Sequence, residues 1–95
     1  MNFELSNKAK QDLEDIFVYT IQRWSLKQAK IYYTYIIYEI KLICDNPKIG
    51  ISISEIKEHH RIWKIKSHII IYKVKNNVIY IDRILHRRMD VINVI

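Results

Sequence analysis

The sequence predicts an α+β fold with the element order β-α-α-β-β-β, in which an antiparallel helical hairpin packs on one face of a mainly antiparallel sheet. Two observations support this prediction. Apolar residues repeat at helical spacing in the first half of the chain, and from residue 61 onward the sequence changes to short runs rich in Ile, Val and Tyr. The 95 residues suffice for a single domain, residues 1–95, with one modest core.

A short strand and the first helix are predicted at the N-terminus. Residues 2–6 alternate like a strand, and the helix follows over residues 6–24. Ser6 or Asn7 can cap its start, and acidic residues follow early, where the helix dipole favours them. An apolar stripe defines its buried face: Ala9, Leu13, Ile16, Phe17 and Thr20.

The second helix has clear signals at both ends. Ser25 and Gln28 have the spacing of a capping box, so the helix begins there. Pro47 cannot continue a helix and Gly50 permits a turn, so the helix ends at residues 45–50. Because the link between the two helices is short, we expect an antiparallel hairpin.

The last part of the chain predicts three strands. They cover residues 61–66, 68–74 and 78–86, with tight turns at 66–68 and at Lys75-Asn76-Asn77, since Asn tolerates positive φ. The run His68-Ile69-Ile70-Ile71-Tyr72 does not alternate, so this strand is expected to be central and buried on both faces. The N-terminal strand then pairs with one of the other strands.

The charge, the single cysteine and the absence of long apolar runs limit the kinds of partner and cellular location that the sequence predicts. The net charge is +6, and residues 51–95 carry nine Lys or Arg against four Asp or Glu. This imbalance favours an acidic partner, either a nucleic acid or an acidic protein segment, although a charge that only maintains solubility is the alternative. One cysteine, Cys44, excludes an internal disulfide and fits a reducing cytoplasm. No apolar run reaches the length of a membrane span, and the N-terminus lacks a signal-peptide pattern.

Several stretches together resemble the ParE toxins of the RelE/ParE superfamily. The opening LSNKAKQDLEDIFVYT and the second-helix segment QAKIYYTYI are similar to that family, and Pro47 with Gly50 is similar to its Pro-x-x-Gly turn. The ending HRIWKIKSHIIIYKVKNNVIYIDRILHRRMD resembles its strand hairpin and its signature, Arg-x-Leu-His-x-Arg-Met-Asp. The resemblance covers nearly the whole chain.

This resemblance implies a toxin of a type II toxin–antitoxin module of the plasmid-stabilisation type. Such a toxin acts in the bacterial cytoplasm, contacts DNA gyrase, stabilises its cleaved-DNA state and is neutralised by a ParD-like antitoxin. It is not an enzyme, needs no cofactor or metal, and is not expected to bind membranes or specific nucleic-acid sequences. The target-contact candidates are His86, Arg87, Arg88 and Met89. The antitoxin-groove candidates are Tyr32, Tyr35, Tyr38, Trp63 and Lys64.

Two alternatives stay open. The RelE branch shares the fold but cleaves mRNA on the ribosome, which would need a base, an acid and cations for the developing phosphorane charge. For that activity the candidates are Glu58, Arg61, Arg83 and His86. Strict strand alternation argues against such a site, because it places Arg83 and His86 on opposite faces. The other alternative is an inactive, binding-only relative.

Some of these residues also have purely structural interpretations. Arg83 can pair with Asp82 or anchor the C-terminal strand to the helices, and Cys44 is expected to be a small core residue. Adjacent His59 and His60 diverge on an extended segment and lack a third ligand, so no metal site is predicted. The apolar segment 91–95 can pack on the core or contact a partner.

Overall fold

The computed structural model describes all residues from Met1 to Ile95 and confirms the predicted α+β architecture. The strands form one five-stranded sheet in the order β1-β5-β4-β3-β2, in which β1 runs parallel to β5 and the other pairs are antiparallel. The elements are β1 (Asn2–Leu5), α1 (Asn7–Arg23), α2 (Leu26–Asp45), β2 (Ile51–Ser52), β3 (His60–Lys64), β4 (His68–Lys75), β5 (Val78–His86) and α3 (Val91–Val94).

The two long helices begin where the sequence predicts, whereas the short helix α3 was not predicted. The Ser6 side chain accepts a hydrogen bond from the Ala9 N–H at 2.9 Å, and the Ser25 side chain accepts one from the Gln28 N–H at 3.1 Å. Each serine thereby satisfies one of the free donors of a helix N-terminus. Of the three helices, none is both long and apolar enough to cross a membrane.

The β4–β5 hairpin turns as predicted, whereas the preceding strand is shifted. Asn76 and Asn77 both have positive φ, 51° and 63°, as a two-residue type I′ turn requires. Strand β3 begins one residue earlier than predicted and ends at Lys64, because the turn to β4 occupies residues 65–67. The two-residue strand β2 was not predicted, since it is too short to have a detectable period.

Strand β4 lies in the middle of the sheet and is buried on both faces, as the non-alternating run predicts. On the helix side, Ile70 and Tyr72 belong to the main core. On the opposite side, Ile69 and Ile71 form a smaller core with Leu85. The C-terminal segment covers this smaller core, because Val91, Val94 and Ile95 pack against it. The apolar C-terminus therefore docks on the sheet.

The turn after α2 is held by two side chains from the sheet. The Tyr72 hydroxyl donates to the Pro47 carbonyl at 2.7 Å and accepts from the Gly50 N–H at 2.9 Å, while Arg61 donates to the Gly50 carbonyl at 2.7 Å. A Cβ at Gly50 would lie 2.7 Å from the phenol oxygen and 2.8 Å from the Ile62 carbonyl oxygen. The glycine is needed here for close approach.

The prediction that side chains alternate strictly between the two faces along β5 is wrong, because the pairing of β5 with β4 contains a bulge. Ile71 pairs with Arg83 and Tyr72 pairs with Ile81, so Asp82 is an extra residue on β5. Beyond it the side chains exchange faces: Ile84 joins Ile79 and Ile81 in the main core. Because a bulge inserts one extra residue into a strand, every later residue of that strand points to the opposite face from the one that strict alternation gives. His86 consequently lies on the helix side of the sheet.

Candidate functional site

A cleft of about 780 Å³ lies between α1, the start of α2 and the ends of β4 and β5. This volume is in the range of ligand pockets. We refer to it as the α1–β5 cleft. Its wall on the helices is formed by Asp12, Asp15, Ile16, Tyr19, Thr20, Arg23, Trp24, Gln28 and Tyr32. Its wall on the sheet is formed by Ser67, His68, Arg83, Ile84, Leu85, His86 and Met89.

A forked ion pair joins the two walls of the cleft. Arg83 donates to both carboxylate oxygens of Asp12, from Nε at 2.8 Å and from a terminal nitrogen at 2.9 Å. The same carboxylate accepts the Ile84 backbone N–H at 2.9 Å. The hydrogen bond to Asp12 raises the pKa of the Arg83 guanidinium. Arg83 thus anchors the last strand to a helix, and its predicted partner Asp82 instead pairs with Lys57 at 2.7 Å.

A tyrosine and two histidines meet next to this ion pair. The Tyr32 hydroxyl lies 2.6 Å from Nδ1 of His68 and also accepts the Ser67 N–H, at 3.3 Å. The rings of His68 and His86 pack edge to face, with centroids 5.4 Å apart. Burial, and then the neighbouring His86, lowers the pKa of His68 from 6.5 to about 4. His68 is therefore neutral at physiological pH, and its hydrogen bond with Tyr32 joins two uncharged groups.

The predicted target-contact residues form an exposed surface, which we call the basic cap: His86, Arg87, Arg88 and Met89. Arg87 donates to the Lys66 carbonyl at 3.0 Å, and neither Arg87 nor Arg88 forms an ion pair. Nδ1 of His86 accepts the Arg88 backbone N–H at 3.1 Å, which fixes the turn after β5. The basic cap thus exposes two guanidinium groups that no acidic side chain of this chain neutralises.

The four residues proposed for RNA cleavage do not converge on one site. Arg83 and His86 both line the cleft, but Glu58 and Arg61 do not. The Glu58 side chain is 83% exposed and Arg61 bonds to the Gly50 carbonyl. Since the Arg83 guanidinium is bound to Asp12, it is also poorly placed to hold a phosphate.

The antitoxin-groove candidates separate into three environments. Tyr32 and Tyr35 are half-buried, with ring centroids 5.7 Å apart, and the Lys66 ammonium lies 4.8 Å from the Tyr35 ring. Trp63 packs on the main core, and its indole N–H has no hydrogen-bond acceptor. Tyr38 and Lys64 are exposed. Thus Tyr32 belongs to the α1–β5 cleft and the others lie outside it.

The remaining polar candidates are accounted for by local contacts. His59 is exposed, whereas His60 is buried, with Nδ1 2.7 Å from the Glu58 carbonyl oxygen. No group of three or more His, Cys, Asp or Glu side chains is arranged to hold a metal ion. Cys44 is buried in the main core, and this burial raises the pKa of its thiol.

Sequence reasoning singled out only four of the sixteen cleft residues, Tyr32, Arg83, His86 and Met89. Tyr19, Arg23 and Trp24 lie outside the apolar stripe of α1, and His68 was treated as part of a turn. A usable signal did exist, because Tyr19 and Arg23 are four residues apart and therefore share one face of the helix. Nothing in the local pattern showed that this face points toward the end of β5.

Comparison with known families adds a match over nearly the whole chain. The model of the ParE toxin of the type II toxin–antitoxin system parDE matches residues 3–91. Toxin ParE1 of Mycobacterium tuberculosis is 36% identical over 88 residues, which cover 92% of this chain and 90% of that protein. Toxin ParE1 of Caulobacter vibrioides is 34% identical over 59 residues, and this chain spans 62% of its length.

A solved structure has the same fold. A chain from the chromosomal ParDE toxin–antitoxin system of P. aeruginosa superposes with a TM-score of 0.79, covering 90% of this chain and 95% of that one. The two sequences are 19% identical. The helical hairpin and the sheet thus form an architecture that persists when most side chains differ.

Proposed function

Because the chain belongs to the ParE toxin family of type II toxin–antitoxin systems, we propose that it inhibits DNA gyrase by protein–protein contact and stabilises the cleaved-DNA state of that enzyme. A cognate ParD-like antitoxin neutralises it. The toxin acts in the bacterial cytoplasm, without a cofactor and without catalysing a reaction of its own. The match to the family over residues 3–91 is the observation that carries the proposal.

The basic cap is the surface proposed to contact gyrase. Arg87 and Arg88 are exposed, form no ion pair and follow directly on the end of β5. Arginines suit interfaces because their planar side chains form several hydrogen bonds at once. The net charge of +6 would also speed the encounter with an enzyme that carries DNA.

The arrangement of side chains favours contact over catalysis. Metal-independent RNA cleavage requires a base and an acid on opposite sides of one phosphate, with free cations nearby. Glu58 is outside the cleft, and Arg83 is bound to Asp12. We therefore keep the endoribonuclease as the competing hypothesis and design the experiment to detect it.

The test is a plasmid assay with purified toxin, gyrase and ATP, analysed on a gel after protein removal. We expect linear, cleaved plasmid to accumulate with the wild type and to fall at least tenfold with Arg87→Glu/Arg88→Glu. The matched control is Lys8→Glu/Lys10→Glu, which makes the same charge change on the exposed side of α1. Undisturbed supercoiling by folded wild-type toxin would refute the proposal, and mRNA cleavage on ribosomes would then identify the enzyme alternative.

A further inference from the structure

We propose that the basic cap is part of a larger surface that binds the phosphate backbone of duplex DNA without sequence preference. This surface, which we call the basic end, comprises three segments that meet at one end of the fold: residues 23–28 where α1 leads into α2, residues 64–68 where β3 leads into β4, and residues 86–89 at the end of β5. The inference deepens the proposed function, on which it rests for the role of the contact, because it adds the DNA held by gyrase to the partners of the toxin.

Hydrogen bonds and packing hold the three segments together. The Arg87 backbone N–H donates to the Ser67 carbonyl at 2.9 Å, and the Arg87 side chain donates to the Lys66 carbonyl at 3.0 Å. Helix α2 is joined to the same turn by the Tyr32 hydroxyl, which accepts the Ser67 N–H at 3.3 Å, and by the Lys66 ammonium, which lies 4.8 Å from the centre of the Tyr35 ring. Residues of all three segments also line the α1–β5 cleft. Segments that are far apart in sequence therefore form one surface.

The charge of the basic end is strongly one-sided. Its segments contain six of the sixteen Lys and Arg residues and none of the ten Asp and Glu residues of the chain. All six cations are exposed and none forms an ion pair: Arg23, Lys27, Lys64, Lys66, Arg87 and Arg88. Two acids that border the end, Asp15 and Asp90, bond only to neutral amides, so they keep their charge. Six cations against two carboxylates still leave an excess of positive charge.

The stability of the fold does not explain this arrangement. A helix N-terminus carries a partial positive charge and is stabilised by acidic residues, yet the first turn of α2 has no acid and carries Lys27. Lys66 and Arg87 lie side by side, since the Arg87 side chain reaches the Lys66 carbonyl, and like charges repel. A polyanionic partner would offset both of these unfavourable interactions.

Duplex DNA fits the basic end better than a single strand or a membrane does. A duplex presents one phosphate charge per about 1.7 Å of its axis, so that cations spread over several turns of the protein can each contact a phosphate. Single strands are held by exposed aromatic rings on which successive bases stack, whereas Tyr32 and Tyr35 are half-buried and packed against each other. A membrane surface requires a continuous apolar face beside the cations, whereas Trp24 and Met89 line the cleft.

The test titrates a short labelled DNA duplex of arbitrary sequence with purified toxin, without gyrase, and follows fluorescence anisotropy at several salt concentrations. We expect the logarithm of the affinity to fall with the logarithm of the salt concentration with a slope of about −5, since each of six phosphate contacts contributes about −0.9.

The variant Lys27→Gln/Lys64→Gln/Lys66→Gln removes three of these contacts and leaves Arg87 and Arg88 in place. It should change the slope to about −3 and weaken binding by about tenfold or more. The matched control, Lys41→Gln/Lys48→Gln/Lys75→Gln, removes the same charge from exposed positions outside the basic end and should bind within about twofold of the wild type. Circular dichroism establishes that both variants are folded.

Three results of this titration would overturn the inference. They are the absence of duplex binding by folded wild-type toxin, an equal loss of binding in the two variants, and tighter binding to another polyanion than to the duplex. An equal loss would mean that only the net charge matters. Tighter binding to a single-stranded RNA oligonucleotide, or to vesicles of an anionic phospholipid, would assign the basic end to that partner instead.

The plasmid assay with gyrase separates this inference from the proposed function. We expect less cleaved plasmid with the variant of the basic end and an unchanged amount with the control. Cleavage at the wild-type level by a variant that has lost DNA binding would remove the inferred role and leave the proposed function standing. Duplex binding at the basic end by a wild-type toxin that leaves gyrase undisturbed would support the DNA site and refute the proposed function.

Discussion

Removing the Asp12 carboxylate should destabilise the protein more than any other surface-accessible single change in α1. The Asp12 side chain is 13% exposed and that of Arg83 is 20% exposed, so the pair is largely shielded from water. Asp12→Ala removes two charge-assisted hydrogen bonds and one to a backbone N–H, and it leaves the guanidinium without a counter-ion. Breaking a fully buried pair in this way costs about 3–5 kcal/mol, and the residual exposure reduces the expected loss to about 3 kcal/mol.

The assay is urea denaturation followed by circular dichroism at pH 7. A domain of this length has a free energy of unfolding of about 5–14 kcal/mol, so the predicted loss is large and easily measured. Asp15→Ala is the matched control, because Asp15 lies one turn further along α1, is exposed and bonds only to Gln11. It should change the free energy of unfolding by less than about 0.5 kcal/mol. Equal losses in the two variants would refute the assignment of Arg83 and Asp12 as the anchor of β5.

Three further predictions concern pH, packing and the C-terminus. Burial holds the pKa of His68 near 4, below its unfolded value of 6.5, so the unfolded chain binds the proton first as the pH falls. The free energy of unfolding should therefore fall by about 1–2 kcal/mol between pH 6.5 and 4, a figure that is reduced because the His68 ring is partly exposed to solvent. Urea unfolding at the two pH values should show a smaller fall in His68→Gln and an unchanged fall in His59→Asn. Gly50→Ala places a methyl group 2.7 Å from the Tyr72 phenol oxygen and should lower the free energy of unfolding by about 2 kcal/mol, measured by thermal or urea unfolding. An unchanged unfolding midpoint would contradict the close packing at this glycine. Removal of residues 91–95 should uncover the smaller core, lower the free energy of unfolding by about 2 kcal/mol and increase the binding of an apolar dye. The control Ile92→Ser, at a position that is 66% exposed, should change neither the free energy of unfolding nor the dye binding.

Local signals were sufficient to predict most elements of the fold. Ser6 and Ser25 act on backbone groups three residues away, so the starts of α1 and α2 can be predicted from a few neighbouring residues. The turn at Asn76 and Asn77 likewise depends on the conformational tolerance of two residues. The unbroken apolar run at β4 indicated burial on both faces, because a solvent-facing strand would alternate.

Long-range contacts limited what could be predicted of the site. The bulge at Asp82 leaves no mark in the periodicity, yet it reverses the faces of the last residues of β5 and places His86 beside His68. The sequence predicted that Arg83 would either pair with Asp82 or anchor the last strand to the helices, but it could not identify Asp12, 71 residues away, as the anchoring partner. The cleft itself depends on how α1 crosses the sheet, which no local pattern encodes.

The anchor and the cleft have a common origin in the shortness of β1. This strand pairs with β5 only as far as Ile81, so the edge of β5 beyond that residue has no strand partner. Its backbone groups bond instead to the chain that enters α1: the Ser6 hydroxyl donates to the Asp82 carbonyl at 2.6 Å, and the Asp12 carboxylate accepts the N–H of Ile84 at 2.9 Å. The free backbone groups at this edge of β5 are thus hydrogen-bonded by side chains at the start of α1 and not by a further strand. The space beside the last turns of α1, which a longer strand would fill, stays open. A change at Asp12 should therefore alter both the stability of the protein and the shape of the cleft.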